Sequence, residues 1–201
     1  MYIDRPMREY LDDLAAKKPV PGGGSAAALA ASTGVSLMLM VANYTVGNPK
    51  YKSGELKIAD IILKCDKARA ELMALIDKDI EEYKRLSEGI KAASGDSEKT
   101  EALYKAAALP PFEVCKIAAA CLKMCKTLVE CGNKNLITDT AIAAILLEGS
   151  FLSAKFNVYL NLESVEDMDH IGEIHKILSP LEEELPELKD EILEMCEEVI
   201  E

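Results

Sequence analysis

The chain has 201 residues and a formal net charge of −12; 49% of its residues are hydrophobic, 29% charged and 5% aromatic, and there is no Trp. That length suits one large domain with a filled core, and the apolar content excludes a disordered chain. No Lys/Arg cluster supplies a basic face, which excludes a broad nucleic-acid footprint, and an anionic ligand must be held by a few local positive groups.

In chain order, Pro6 to Ala16 is predicted as a short amphipathic helix, with Met7, Tyr10, Leu11 and Leu14 at helical spacing. Lys17 to Gly24 breaks it, because two prolines and three glycines cannot continue a helix. Ser25 is the expected N-cap of a long helix from Ala26 to Val46, which carries no charge. That run is long enough to span a bilayer, but its many Ala, Ser and Thr residues and unanchored flanks favour a buried soluble helix. Gly47-Asn48-Pro49 ends it. Ser53 to about Ile90 is predicted as one long charged helix with an apolar stripe from Leu56 to Ile80. A polar loop at 92–97 follows, then a short helix through Ala108. Pro110-Pro111 is expected to open a separate helix ending at Gly132. Asn133-Lys134-Asn135 is a connector, Thr138 the expected cap of a helix to Leu160, and a last helix is expected beyond Pro180 and Pro186, through Ile192 and Cys196.

With no period-two alternation and no internal repeat, the fold class is all-α: one domain over 1–201, an antiparallel bundle of six to eight helices. The helices 26–46 and 141–160 are apolar nearly all round, so part of their cover is expected from a second copy, giving a homodimer. The six cysteines form no CxxC pair and read as reduced thiols packed as small apolar groups. His170 and His175 are five apart, a poor spacing for two ligands on one helix face. No metal site is expected. The N-terminus, Met1-Tyr2-Ile3-Asp4-Arg5-Pro6, has no secretory pattern, so the expected location is cytoplasmic, without a membrane or nucleic-acid partner.

Pro19-Val20-Pro21-Gly22-Gly23-Gly24-Ser25 is the most unusual stretch. Three glycines let backbone pass close to a ligand or another helix, and a helix N-terminus offers free N–H groups. The alternative is a tight connector; no Gly-Lys-Ser/Thr follows, so it is not a P-loop. Asn43, on an otherwise apolar helix, is expected to be buried and is therefore either a structural cross-link or a ligand contact. Asp79 and Tyr83 fall one turn apart, though carboxylates on a charged helix are usually solvated. Asp139, in a first helical turn, has a sufficient explanation in the helix dipole. Asn157 and Asn161 share one face; such amides either read a heterocycle or join two helices.

Together these segments resemble the cyclodeaminase domain of formiminotransferase-cyclodeaminase and the related methenyltetrahydrofolate cyclohydrolases. The resemblance rests on Pro19 to Ser25, Ala42-Asn43-Tyr44-Thr45-Val46-Gly47 with Lys50-Tyr51, Asp79, Asn133 to Asp139, and Asn157-Val158-Tyr159-Leu160-Asn161-Leu162. It departs from the family at Tyr159, where a basic residue often stands, and at Glu148, within a helix usually filled by small apolar residues. The resemblance implies an all-helical homodimer with a folate site near the glycine turn and the subunit interface, and no metal or redox cofactor. Within it, Asp139 or Asp79 is the candidate proton acceptor and Lys50 the candidate proton donor or contact for substrate carboxylates. Pro21, Gly22, Gly23, Gly24, Ser25, Asn43, Asn133, Asn135, Asn157 and Asn161 are the candidate substrate-binding residues. Water attack on the methenyl bridge ranks above release of ammonia from a formimino group, because no formiminotransferase segment is attached; a non-enzymatic helical scaffold is the rival. The enzyme reading requires the glycine turn and these polar side chains to converge on one crevice.

Overall fold

The computed structural model describes all 201 residues. Six α-helices carry the fold: α1 (Met7–Ala15), α2 (Gly23–Asn43), α3 (Glu55–Ala93), α4 (Ser97–Cys131), α5 (Ile137–Leu162) and α6 (Met168–Ile200), with three short 3-10 turns between or before them. There is no strand.

Successive helices of the bundle run in opposite directions. Gly23, at the start of α2, sits against Asn157 near the end of α5, and Gly34 at mid-α2 sits against Leu147. At Gly34 a Cβ would come within 3.1 Å of Leu147 Cγ and 3.3 Å of the Ala143 carbonyl. Small residues on α2 thus set how closely α2 and α5 approach. The helices α3 and α4 pack as a second antiparallel pair, and α6 lies along α4 and α5, tied by the pairs Lys105–Asp167, Lys123–Glu184 and Lys155–Glu182. One continuous core unites the bundle, with Val35, Met38, Ile58, Leu72, Leu122, Leu147, Phe151, Leu178 and Ile192 fully enclosed.

Several expected boundaries move. The helix expected to begin at Pro110-Pro111 is the second half of α4, which runs unbroken from Ser97 with both prolines inside it. In the same way α6 runs through Pro180 and Pro186. A proline within a helix removes one i→i−4 hydrogen bond and costs about 3 kcal/mol, but the apolar face on both sides of each proline is buried against neighbours and holds the helix together. Ser25 is not the cap of α2: the helix starts at Gly23, after Gly22. Nor does Thr138 cap α5, which begins at Ile137. All six cysteines are free thiols and five are buried. Burial pushes the Cys115 thiol up to about 12, so it packs as an apolar group and donates to the Phe151 carbonyl at 3.6 Å.

Candidate active site

At the N-terminal end of α2 the chain forms a crevice of about 400 Å³, within the range of small-molecule sites. The segment before α2 supplies Pro19, Val20 and Gly22, and α2 itself Gly23 and Gly24. Asp79 and Tyr83 come from α3, Tyr104 and Ala107 from α4, Asn157, Leu160 and Asn161 from α5, and Glu163 and Ser164 from just beyond it.

Asp79 holds the centre. Its Oδ2 accepts the Ser25 N–H at 2.8 Å, so a carboxylate from α3 takes the capping role at the start of α2 that no local side chain fills. Gly24 makes this possible: a Cβ there would lie 2.7 Å from the Asp79 carboxyl carbon. The hydrogen bond to Ser25 favours the ionised acid, but burial outweighs it and pushes Asp79 up to about 6. Asp79 is therefore largely ionised at neutral pH and still basic enough to take a proton. The N–H groups of Gly23 and Gly24, in the same first turn, have no acceptor in the chain. Ser25 is fully buried, and its hydroxyl shares a 3.1 Å hydrogen bond with Tyr10. Ser25 supports the turn from behind. Pro21, also buried, follows a cis Val20–Pro21 bond behind the lining residues.

The two late asparagines face the turn. Asn157 Nδ2 donates to the Ser153 carbonyl at 3.0 Å, and Asn161 Nδ2 donates to the Asn157 carbonyl at 2.9 Å and to the Ala107 carbonyl at 3.3 Å. Ala107 is four residues before Pro111, which has no N–H to offer it. The proline inside α4 thus frees the carbonyl that positions Asn161. Each asparagine keeps a side-chain oxygen that no donor in the chain uses.

The expected convergence is only partly met within one chain. Asn43, the last of the 21 residues of α2, and Lys50, Asn133, Asn135 and Asp139 beyond it lie at the other end of that helix, roughly 30 Å from the crevice at 1.5 Å per residue. Asn43 was expected to be buried; it is exposed, because the helix ends there. Asn133 organises this second cluster: its Oδ1 accepts from Tyr51 Oη and from the Asn135 N–H at 3.1 Å each, and its N–H donates to Thr45 Oγ1 at 2.9 Å. Lys50 is exposed, with its ammonium 5.5 Å from the centre of the Tyr51 ring. Asp139 is half-buried in the first turn of α5. Conversely, the candidate list drawn from the sequence lacked Tyr83, Tyr104, Glu163 and Ser164. The spacing of Tyr83 to Asp79 was a visible signal; Tyr104 and the Glu163-Ser164 corner had none. No group of three or more His, Cys, Asp or Glu side chains is placed to hold a metal ion.

An all-helical bundle with a partly buried carboxylate, free helix-terminal N–H groups and two asparagines around one crevice is a protein built to bind a small polar molecule. The chain belongs to the formiminotransferase-cyclodeaminase family, whose profile matches residues 6–179. It is 32% identical over 197 residues to methenyltetrahydrofolate cyclohydrolase of Methylorubrum extorquens, covering 92% of each chain. It is 28% identical over 190 residues to formimidoyltransferase-cyclodeaminase of Mus musculus, spanning 90% of this chain but 35% of that longer one. The solved structure of formiminotetrahydrofolate cyclodeaminase from Thermotoga maritima superposes with a TM-score of 0.92 at 27% identity, over the whole of both chains.

Proposed function

We propose that this protein is a folate one-carbon enzyme, a methenyltetrahydrofolate cyclohydrolase, with Asp79 as proton acceptor. The observation that carries the reading is Asp79 itself: a partly buried acid raised to about 6, held by one N–H against a glycine turn, at a crevice with two half-free asparagines. The methenyl bridge is a cationic carbon between two nitrogens. An ionised Asp79 in a low-dielectric crevice stabilises that cation and takes a proton from the attacking water. The tetrahedral carbon then loses one C–N bond: Asp79 returns its proton to the departing nitrogen, which keeps the bonding pair, while the hydroxyl oxygen forms the C=O of a formyl group on the other nitrogen and releases its remaining proton to solvent. Asn157 and Asn161 accept hydrogen bonds from the ring N–H groups, and the Gly23 and Gly24 N–H groups donate to ring oxygens or nitrogens. These steps use only side chains and backbone of the protein and call on no metal or redox cofactor.

The relative that matches over nearly its whole length carries the cyclohydrolase name, which supports this choice. The second reading, cyclodeamination of formiminotetrahydrofolate, is favoured by the Thermotoga maritima neighbour, which carries that name and superposes over the full chain. It passes through the same kind of tetrahedral carbon, with ammonia leaving. We also read the protein as a cytoplasmic homodimer that buries the outward faces of α2 and α5 and has no membrane or nucleic-acid partner. The support for the dimer is exposed apolar surface: Ile142, Ile145, Phe156 and Leu160 on α5 are each about half or more exposed in the single chain.

The test follows loss of the methenyl chromophore with purified protein and, in parallel, ammonia release from formiminotetrahydrofolate. Saturable loss of the chromophore is expected, with Asp79→Asn slower by about a hundredfold or more. Ammonia release without methenyl hydrolysis selects the second reading; turnover of neither substrate, with no saturable binding of a folate analogue, overturns both.

A further inference from the structure

Asp77 is a buried acid that the crevice does not use. It lies two residues before Asp79 on α3, is 6% exposed, and lines no part of the crevice. A carboxylate buried without partners is costly, and the partners here are backbone: its oxygens accept the Tyr2 N–H at 2.7 Å and the Ile3 N–H at 3.4 Å. The first residues of the chain are thereby clasped to α3. Residues two apart on a helix point to nearly opposite sides, so the chain that starts on the Asp77 side of α3 arrives, at Ser25, on the Asp79 side.

Between these two ends the segment is tied to itself. Tyr2 Oη donates to Asp13 Oδ2 at 2.6 Å, and the other Asp13 oxygen pairs with Lys18, next to Pro19 of the crevice lining. The Tyr2 ring stands edge-on to Tyr10 with ring centres 5.5 Å apart. Tyr10 is buried, and its hydroxyl meets the Ser25 hydroxyl at 3.1 Å. Neither hydroxyl has another hydrogen-bond partner in the chain, so each depends on the other. Ser25 in turn gives its N–H to Asp79 at 2.8 Å, the one hydrogen bond that carboxyl accepts from the chain.

We propose that Tyr10 is a positioning residue of the candidate active site: clasped to α3 through Tyr2 and Asp77, the N-terminal segment presses Tyr10 against the Ser25 hydroxyl and so holds the Ser25 N–H on Asp79. The other titratable groups at the crevice are Tyr83 on α3 itself, Tyr104 from α4 and Glu163 beyond α5, while α2 carries no charge. From α1 comes Tyr10, whose hydroxyl stays protonated because burial and the nearby charge of Asp79 push it up. None of these groups donates to the Asp79 carboxyl, so the Ser25 N–H alone opposes the burial that raises it. Loosening Ser25 therefore drives Asp79 further up.

The test reads Asp79 directly. With the aspartate carboxyl carbons isotope-labelled, the Asp79 resonance is identified by its absence from Asp79→Asn, and its titration midpoint is followed by NMR. Tyr10→Phe keeps the ring and removes the hydroxyl. Its midpoint is expected to rise by about half a pH unit to one, and the acid limb of kcat/KM to move up with it, while the value at high pH stays within about threefold of wild type. Ser25→Ala keeps the N–H but breaks the same link, so it should give the same rise, and the double variant no more than either alone. Asp77→Ala should reproduce the rise; Asp77→Asn, whose side-chain oxygen still accepts the Tyr2 N–H, should largely restore the wild-type midpoint. A folded Tyr10→Phe protein that is less stable but whose midpoint is unmoved or lowered would show a packing role only and overturn the proposal, as would equal behaviour of Asp77→Asn and Asp77→Ala. The proposal deepens the reading of Asp79 as proton acceptor and rests on it for the kinetic measurement alone. A wild-type protein that turns over neither folate, yet shows the raised midpoint in Tyr10→Phe, would remove the folate reading and leave Tyr10 in its role.

Discussion

Asp79 is where opposing effects can be weighed. The Ser25 N–H and the start of α2 both favour its ionised form, yet burial wins and sets it near 6. Its folded value lies above the ordinary carboxylate value near 3.8, so between about pH 3.8 and pH 6 the folded protein holds more protons than the unfolded one. Stability therefore falls as pH rises through that window and levels off above it. Asp79→Asn removes the cost of holding a charge there while its side-chain oxygen still accepts from Ser25. The variant is expected to unfold about 1–2 kcal/mol less readily than wild type at pH 7.5, with the difference shrinking towards pH 4, as denaturant titrations would measure. The pH profile of kcat/KM should show an acid limb near 6 that the variant lacks. A less stable variant, or a limb unmoved by the substitution, would take the titrating role from Asp79. Among carboxylates on a long, charged helix, the sequence marks this one only weakly, because its raised value comes from burial against the start of α2, which is distant in the chain.

At the scale of the element, the prolines are the instructive case. Pro110-Pro111 reads as a helix start because proline suits a first turn, and a window of residues has no means of weighing the packing that carries α4 through it. The consequence is functional. Asn161 takes the Ala107 carbonyl that Pro111 leaves free, so the break in the ladder of α4 orients a crevice residue on α5. Pro111→Ala restores an N–H that competes for that carbonyl. Thermal unfolding is expected to show equal or greater stability, since proline is the poorer helix former, while KM rises about three- to tenfold through loss of one hydrogen bond's positioning. An unchanged KM would show that Asn161 is held by the Asn157 carbonyl alone. The triple glycine is the second case. Its small size is legible in the sequence as close approach, but the approaching group is a carboxylate of the chain at Gly24. Gly22 has nothing within 4 Å of a Cβ position, so only its place beside the crevice gives it a role.

For the whole molecule, the apolar face of α2 and α5 decides whether the second cluster matters. Ile145→Glu places a charge in the middle of that face on a side chain already half exposed in the single chain, so the fold of one copy should survive. Sedimentation is expected to show monomers, and turnover should fall with dimer content; an active monomer would confine the site to one chain.

Composition and periodicity alone determined the all-helical class, the two apolar helices and the positions of α1, α3 and most of α2 and α5. Each of these depends on residues three or four apart, which the chain order preserves. The family was legible too, because its segments survive as short contiguous strings. Only the tertiary structure decided that Asp79 is the partly buried acid of the crevice, that Asn157 and Asn161 meet the glycine turn, and that Asn43, Lys50, Asn133, Asn135 and Asp139 do not meet it in the same chain. Burial, desolvation and the reach of a carboxylate depend on which helices pack together and in which direction, and those distances are not written in the spacing of residues along the chain.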